Sequence, residues 1–301
     1  MKKVMVTGGA GFIGSHLVEY LSKSYRVVVI DNLSQGNKLK NINNNIRLVK
    51  GDVRDYDLVK YHSKNCTSIF HLAAILGVDV VSEKNIETMD CEFEGIKNVC
   101  SAAKKNKLKK IIYASSSGVY GQLNYKGNVK ESAVIQPSSA YSMAKRACEV
   151  YLKYFYRETK INSVAVRLFN VYGPRQDDRM VIPRFIDQAK SNKSITVYGN
   201  GKQTRDFTYI DDCVKTFDLI DKKVTGHHIL NSSRGKEFDI YSLAKMIKKK
   251  IKSKSNISKV NVPKKIQEFQ VMKRSGDSSK LFKLIRFKPN TDLIDGLNKI
   301  I

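Results

Sequence analysis

Apolar residues occur in short continuous runs at 3–7, 26–30, 46–49, 68–72, 110–115 and 162–168. Runs this short, rich in Val and Ile, read as strands buried on both faces. Longer stretches with helical spacing separate them, as in Leu17, Val18, Tyr20 and Leu21 after the first run. Strands alternating with helices predict an α/β chain with a doubly wound parallel sheet. Right-handed crossovers place the strand C-termini along one edge, where ligands bind. From about Gly173 the alternation becomes irregular, and Pro174 and Pro183 punctuate it. Residues 227–231 read as one more short strand, and roughly 236–301 mixes helices and loops into a smaller lobe.

The first run is followed at once by Thr7-Gly8-Gly9-Ala10-Gly11-Phe12-Ile13-Gly14, and then by the first helical stretch. Glycines let a backbone turn sharply and approach a pyrophosphate, and a helix N-terminus offers free N–H groups to it. The second strand ends on Asp31, an acid placed to accept from the ribose hydroxyls of adenosine. A glycine pattern alone is weak; the order strand, turn, helix, strand, acid is specific. The cofactor expected is NAD, favoured over NADP because Asp31 would repel a 2′-phosphate.

Composition changes this picture little. The 301 residues carry 54 Lys and Arg against 28 Asp and Glu, a formal charge of +26. The lysines are spread, with short runs at 104–105, 109–110 and 248–250. The last run falls on the polar face of a helix defined by Leu243, Ala244, Ile247 and Ile251. A basic surface and an anionic small substrate account for the charge, without specific nucleic-acid binding. Cys66, Cys91, Cys100, Cys148 and Cys213 are odd in number and form no C-x-x-C pair. No disulfide framework and no metal site is expected, and a reducing cytoplasmic setting fits. Glycines interrupt the N-terminal apolar run by position 8, so no signal peptide is expected, and no stretch approaches membrane-spanning length.

Candidate chemistry lies in Ser138-Ser139-Ala140-Tyr141-Ser142-Met143-Ala144-Lys145. Tyr141 and Lys145 stand at i and i+4 and share one helix face. A free tyrosine ionises near pH 10, and making it a base at neutral pH takes roughly 4 kcal/mol, which a neighbouring ammonium helps supply. Y-x-x-x-K alone is common by chance and reads as a surface pair; beside a dinucleotide loop it reads as an acid/base couple. The strand Ile111-Ile112-Tyr113-Ala114 ends in Ser115-Ser116-Ser117. Hydroxyls there can cap a turn, or hydrogen-bond a reacting sugar oxygen.

Further segments appear in order: Asp31-Asn32-Leu33, Gly51-Asp52-Val53-Arg54-Asp55, His71-Leu72-Ala73-Ala74, the serine turn, Arg167-Leu168-Phe169-Asn170-Val171-Tyr172-Gly173-Pro174-Arg175-Gln176 and Arg205-Asp206-Phe207-Thr208-Tyr209-Ile210-Asp211-Asp212. With the glycine loop and the Tyr141–Lys145 pair, the chain resembles extended short-chain dehydrogenase/reductases of the nucleoside-diphosphate-sugar epimerase/dehydratase family, and among them UDP-glucose 4-epimerases. The likeness is dense over about 1–235 and thin beyond. It implies a Rossmann-type sheet with a smaller C-terminal α/β substrate lobe. Residues 1–172 would form the NAD-binding domain, with 206–235 returning to it, and 173–301 mainly the substrate lobe.

The resemblance also implies roles. Gly8, Gly11, Phe12, Ile13 and Gly14 would hold the NAD pyrophosphate, and Asp31, with Asn32 beside it, the adenine ribose. Asp52 and Val53 would border adenine; Leu72, Ala73 and Ala74 would pass under the phosphates and nicotinamide ribose. Lys145 would hold the ribose hydroxyls as well as tune Tyr141. Ser116 and Ser117 would meet the sugar, Asn170 and Arg205 the diphosphate, and Thr196 and Tyr198 the nucleobase. Two departures stand out. Glu92 occupies the usual Asn position of an N-x-x-G-T-x-N helix. The late arginine of an R-P-G-type segment is replaced by Gln267-Glu268-Phe269, leaving Arg274 to take over diphosphate binding.

The serine turn separates the reactions. Dehydratases of this family carry an Asp-Glu pair in the turn corresponding to 116–119, and UDP-glucuronate decarboxylases a Glu two before the Tyr of V-Y-G. Ser116-Ser117-Gly118 offers no carboxylate, so eliminating water lacks its acid and base. The reading is an NAD-dependent 4-epimerase of a nucleotide sugar, UDP-hexose in type. A 4-ketoreductase or dehydrogenase with net redox is the alternative, and a non-catalytic NAD-binding regulator a third class. A homodimer is expected through the helix at about 92–106 and the one carrying Tyr141 through Tyr156, whose apolar positions Ala144, Ala147, Cys148, Tyr151, Leu152 and Phe155 exceed what one face needs.

Overall fold

The computed structural model describes residues 1–75, 83–122, 126–263, 267 and 271–301. Glu268 and Phe269, named above as a departure, lie outside them. Among the described residues, twelve strands form one large and two small sheets. The large sheet holds β1 (Lys3–Thr7), β2 (Arg26–Asp31), β3 (Ile46–Lys50), β4 (Cys66–His71), β5 (Lys110–Ser116), β6 (Asn162–Leu168) and β10 (His227–Ser232), every pair parallel, in the order β10-β6-β5-β4-β1-β2-β3. The order reverses beside β1, which puts the glycine turn at the switch point of the sheet.

Alternation along each strand sends side chains to both faces. Val4, Val6, Val27, Val29, Phe70, Ile112, Val164 and Val166 pack on one side with α1 (Phe12–Leu21) and α6 (Ile210–Lys223). Met5, Val28, Ile30, Ile69, Ile111, Tyr113 and Ala165 pack on the other with α2 (Tyr56–His62), α3 (Asn85–Lys105) and α4 (Ala140–Thr159). Both faces are therefore dry, which is why the strands read as unbroken Val and Ile. The two long helices lie together, α3 against α4, and α3 begins well before residue 92.

The remaining strands are β7 (Asn170–Tyr172), β8 (Ile195–Tyr198), β9 (Thr204–Tyr209), β11 (Glu237–Asp239) and β12 (Ile257–Val260). They make a β11-β9-β7 sheet and a β12-β8 pair. Around them lie α5 (Val181–Lys190), α7 (Ile240–Ile251) and α9 (Leu293–Asn298), while α8 (Ser279–Ile285) packs on β10 and α6. Three of these strands are short and largely polar, so they gave little hydrophobic signal. Among the described residues, no helix is long and apolar enough to cross a membrane.

Candidate active site

The glycine turn is set by close backbone approach. Gly8 has φ +68°, a left-handed conformation, and a Cβ there would lie 2.6 Å from the Ala73 nitrogen. The turn thus rests on the Leu72–Ala73 backbone leaving β4. Gly14 faces back on it, and a Cβ would lie 2.0 Å from the Gly8 oxygen. Only glycine lets α1 come this near β1. Helix α1 starts from Gly11 with no side-chain cap and no acid in its first turn, so its first N–H groups have no side-chain acceptor to satisfy them.

Asp31 braces the same turn. Its Oδ2 accepts from the Ala10 N–H at 2.9 Å and its Oδ1 from the Leu33 N–H at 2.8 Å. The Asn32 amide points toward Asp52, whose carboxylate is gripped by Arg54 at 2.9 and 2.8 Å. That hydrogen bonding holds the Asp52 carboxyl below its ordinary value. Val53 is buried against Gly95 of α3. Leu72 and Ala73 follow His71, and the Ala73 N–H donates to Thr7 Oγ1 at 3.4 Å. An uncapped helix start, an acid at the end of β2 and an open glycine turn fit a dinucleotide: α1 would take the pyrophosphate of NAD and Asp31 the adenine ribose.

Ser139 fixes the beginning of α4 with a reciprocal cap: its side chain accepts from the Ser142 N–H at 3.2 Å, and Ser142 Oγ accepts from the Ser139 N–H at 3.0 Å. Tyr141 is held in the first turn. Its ring is partly exposed, but its hydroxyl is enclosed. Burial raises its pKa, against the Lys145 ammonium, which lowers it; Glu92 raises it further and the Ser116 hydrogen bond lowers it. Gly118 N–H donates to Ser116 Oγ at 3.0 Å, and Ser116 also hydrogen-bonds the Tyr141 oxygen. Ser117 is buried inside the following 3₁₀ turn, Ser117–Tyr120.

Lys145 is buried. Its Nζ donates to the Ala114 carbonyl at 2.9 Å and lies 5.5 Å from the centre of the Tyr141 ring and 4.7 Å from that of Tyr113. It also pairs with Glu92 Oε1 at 2.7 Å, while Tyr113 donates to Glu92 Oε2 at 2.6 Å. Burial works against the lysine charge, and the carboxylate more than offsets it, so its pKa stands above the ordinary value. The contact that Glu92 left in question is thus a direct ion pair to the candidate catalytic lysine.

The expected substrate side is spread over several elements. Asn170 is exposed at the start of β7, beside Phe207 of β9. Thr196 and Tyr198 share the less buried face of β8. The Thr196 hydroxyl accepts from Gln188, and the Arg184 guanidinium lies 4.5 Å over the Tyr198 ring. Arg205 donates to the Thr204 and Val271 carbonyls. Burial lowers its pKa to about 10, and among the described residues no carboxylate pairs with it. Arg274 donates to the Gly121 carbonyl, at the end of the serine turn.

Sequence reasoning assigned no work to Asp206, Arg175 or Glu149. Asp206 accepts from the N–H groups of Arg234, Gly235 and Gly276 and from Ser275 Oγ, between 2.9 and 3.2 Å, tying β9 to two loops. Arg175 grips Glu19 of α1 at 2.7 and 2.9 Å, fastening the loop after β7 to that helix. Asp206 and Arg175 stood within the ordered segments quoted above, but nothing in the sequence gave either a partner. Among the described residues, no group of three or more His, Cys, Asp or Glu could hold a metal ion.

A family model described as NAD dependent epimerase/dehydratase matches residues 4–231. The chain is 36% identical to a UDP-N-acetyl-alpha-D-glucosaminuronate decarboxylase of Bacillus cytotoxicus, over 100% of this chain and 97% of that protein. A UDP-glucose 4-epimerase from Thermotoga maritima, solved with UDP-glucose, superposes with a TM-score of 0.93 at 29% identity, covering 99% of this chain and 96% of its own. A UDP-N-acetylglucosamine 4-epimerase from Methanobrevibacter ruminantium, solved with UDP-N-acetylmuramic acid, gives 0.91 at 34% identity, covering 99% and 97%.

Proposed function

This chain belongs to the NAD dependent epimerase/dehydratase family, and we propose that its own reaction inverts C4 of a nucleotide sugar, a UDP-hexose, through a transient 4-keto sugar. The observation that carries this reading is the company Tyr141 keeps. It has a serine donor at Ser116 and an ammonium at Lys145, and the adjoining turn Ser116-Ser117-Gly118-Val119-Tyr120-Gly121 holds no carboxylate. Two epimerases of close overall structure support it.

Bound NAD supplies the acceptor, and then the donor, of the C4 hydride. The Tyr141 oxygen takes the proton of the 4-hydroxyl as the carbonyl forms, and gives it back when the other C4 epimer is made. Lys145 favours the phenolate by its charge and would hold the nicotinamide ribose. Ser116 hydrogen-bonds O4 in both half-reactions, its proton kept available by the Gly118 N–H. Arg205, a cation with no carboxylate partner among the described residues, suits the diphosphate, with Asn170 and Arg274 beside that group and Thr196 and Tyr198 beside the base. Residues 1–172 with 206–235 serve the cofactor in this reading, and 173–301 mainly the substrate.

Decarboxylation is the second reading, because a full-length relative carries that name. The residue two before Tyr120 is Gly118, which has no group to assist it. A panel of UDP-hexoses, their N-acetyl and uronate forms and dTDP-glucose, followed by proton NMR, separates the possibilities. The expected product is the C4 epimer, formed without added reductant. Carbon dioxide from a uronate, a 4-keto-6-deoxy sugar, or product only with stoichiometric NADH would each overturn the reading.

We also propose a cytoplasmic homodimer. Met143 and Tyr154 of α4 are about half exposed, at 50% and 51%, and Val150 and Tyr151 accompany them, while Ala144, Cys148, Leu152 and Phe155 face inward. Ile86, in the first turn of α3, is exposed as well. An apolar stripe of this kind suits a second copy of the same helix pair. Light scattering at micromolar concentration should give twice the chain mass, and a monomer there would refute it.

A further inference from the structure

Glu92 has no place in the mechanism above, yet it is fully buried and its two oxygens are both engaged. One lies 2.7 Å from Lys145 Nζ, and the other accepts from Tyr113 at 2.6 Å. Tyr113 is itself fully buried on β5, so the carboxylate cannot swing away without breaking that bond. Lys145 is fixed from its other side by the Ala114 carbonyl. We propose that Glu92 is a positioning residue, a fixed counter-charge that holds the Lys145 ammonium and keeps the Tyr141–Lys145 couple in its proton-carrying form at neutral pH. This rests on the reading of Tyr141 as the acid/base.

The argument is one of charge counting in a dry site. Tyr141 faces Lys145 on its own helix, Glu92 of α3 and Ser116 of β5, while Tyr113 of β5, Cys148 of α4 and His71 of β4 surround Lys145 and Glu92. Burial pushes the Cys148 thiol up to about 12 and Tyr113 well above its ordinary value, and pushes His71 down to about 3. All three are therefore neutral at pH 7, and among these groups only Lys145 and Glu92 carry charge. With Glu92 in place the cluster is neutral overall before it loses a proton, and negative afterwards. Without it the cluster starts positive and becomes neutral. Charges felt at low effective dielectric make the second loss easier, whichever member of the couple gives up the proton. The carboxylate thus opposes the very field by which Lys145 favours the phenolate, so that before cofactor binds the site holds its proton.

The test is the E92Q variant, nearly isosteric and still able to accept from Tyr113. Tyrosine is labelled with carbon-13 at Cζ, the Tyr141 signal is assigned by its loss in Y141F, and its midpoint is followed by NMR without cofactor. E92Q should lower that midpoint by roughly one pH unit or more, and the acid limb of kcat/KM should move the same way. An unchanged or raised midpoint would overturn the proposal. Should E92Q not fold, K145M is compared with K145M/E92Q, and the double variant must ionise Tyr141 at the lower pH. If the midpoint moves but Y141F retains full turnover, Glu92 tunes Tyr141 as stated and the acid/base reading is what fails.

Discussion

Arg167 clamps Glu149 with two parallel hydrogen bonds of 2.8 Å, Nε to Oε1 and Nη2 to Oε2, in the dry space between β6 and α4. Glu149 Oε1 also accepts from Ser115 Oγ at 2.7 Å, and Arg167 Nη1 donates to the Tyr120 hydroxyl at 2.9 Å. The helix bearing Tyr141 and Lys145 is thereby bolted to the strand bearing Ser116. Removing one partner leaves the other charge buried and unpaired, which costs about 3–5 kcal/mol. Glu149→Gln should therefore lower the melting temperature by several degrees or more, measured by calorimetry. A shift within a degree of wild type would show that the clamp is dispensable.

Tyr141→Phe keeps the ring and removes only the ionisable oxygen. Melting and NAD affinity should stay near wild type, while turnover falls by roughly 10² or more, the size expected of general acid–base catalysis. Ser116→Ala should cost less, because substrate still reaches the tyrosine. Steady-state kinetics on the substrate found by NMR, with calorimetry of cofactor binding, checks both.

Asp31 accepts from two backbone N–H groups, and in the proposed cofactor site it meets the adenine ribose. Isothermal titration should show NAD binding more tightly than NADP, and Asp31→Ser should narrow the ratio by removing the charge that repels a 2′-phosphate. The variant should also lose some NAD affinity, since the same carboxylate orders Ala10 and Leu33. Tighter NADP binding in the wild type would contradict the assignment.

His71 is fully buried, shares a 2.7 Å hydrogen bond with Thr7 through Nδ1, and among the described residues has no hydrogen-bond partner at Nε2. Burial first, and the Lys145 charge second, lower its pKa to about 3. The unfolded chain binds this proton more tightly than the native one, so stability is full above about pH 6.5 and falls as pH drops towards 3. At pH 5 the loss from this one residue is about 2 kcal/mol. Thermal melts from pH 7.5 to 5 should slope accordingly, and His71→Gln should flatten the slope.

The central sheet was legible because its dry strands carry short apolar runs rich in Val and Ile, and the glycine turn because Gly8 and Gly14 stand where no Cβ fits. Tyr141 and Lys145 were legible through helical spacing. The small sheets were less so, since Thr204–Tyr209 and Glu237–Asp239 mix polar and apolar residues and gain their order from each other. Nor could spacing reveal that Glu92 faces Lys145. The two are joined by the packing of α3 on α4, a contact between distant segments that leaves no local pattern. Asp206 and Arg175 escaped for the same reason, because their partners lie on loops and helices far along the chain.

The reciprocal cap at Ser139 and Ser142 gives the site a dependence on local melting. Tyr141 stands in the first turn of α4, and a first turn frays most readily because its N–H groups have no partners within the helix. A cap lost to alanine costs about 1 kcal/mol. The share of molecules with that turn wound is the share with the phenol beside Ser116, so the two serines that flank Tyr141 set how many molecules have the candidate pair assembled at any instant. In Ser139→Ala that share declines on warming, and the Arrhenius plot of turnover bends downward well below the temperature at which the protein as a whole unfolds.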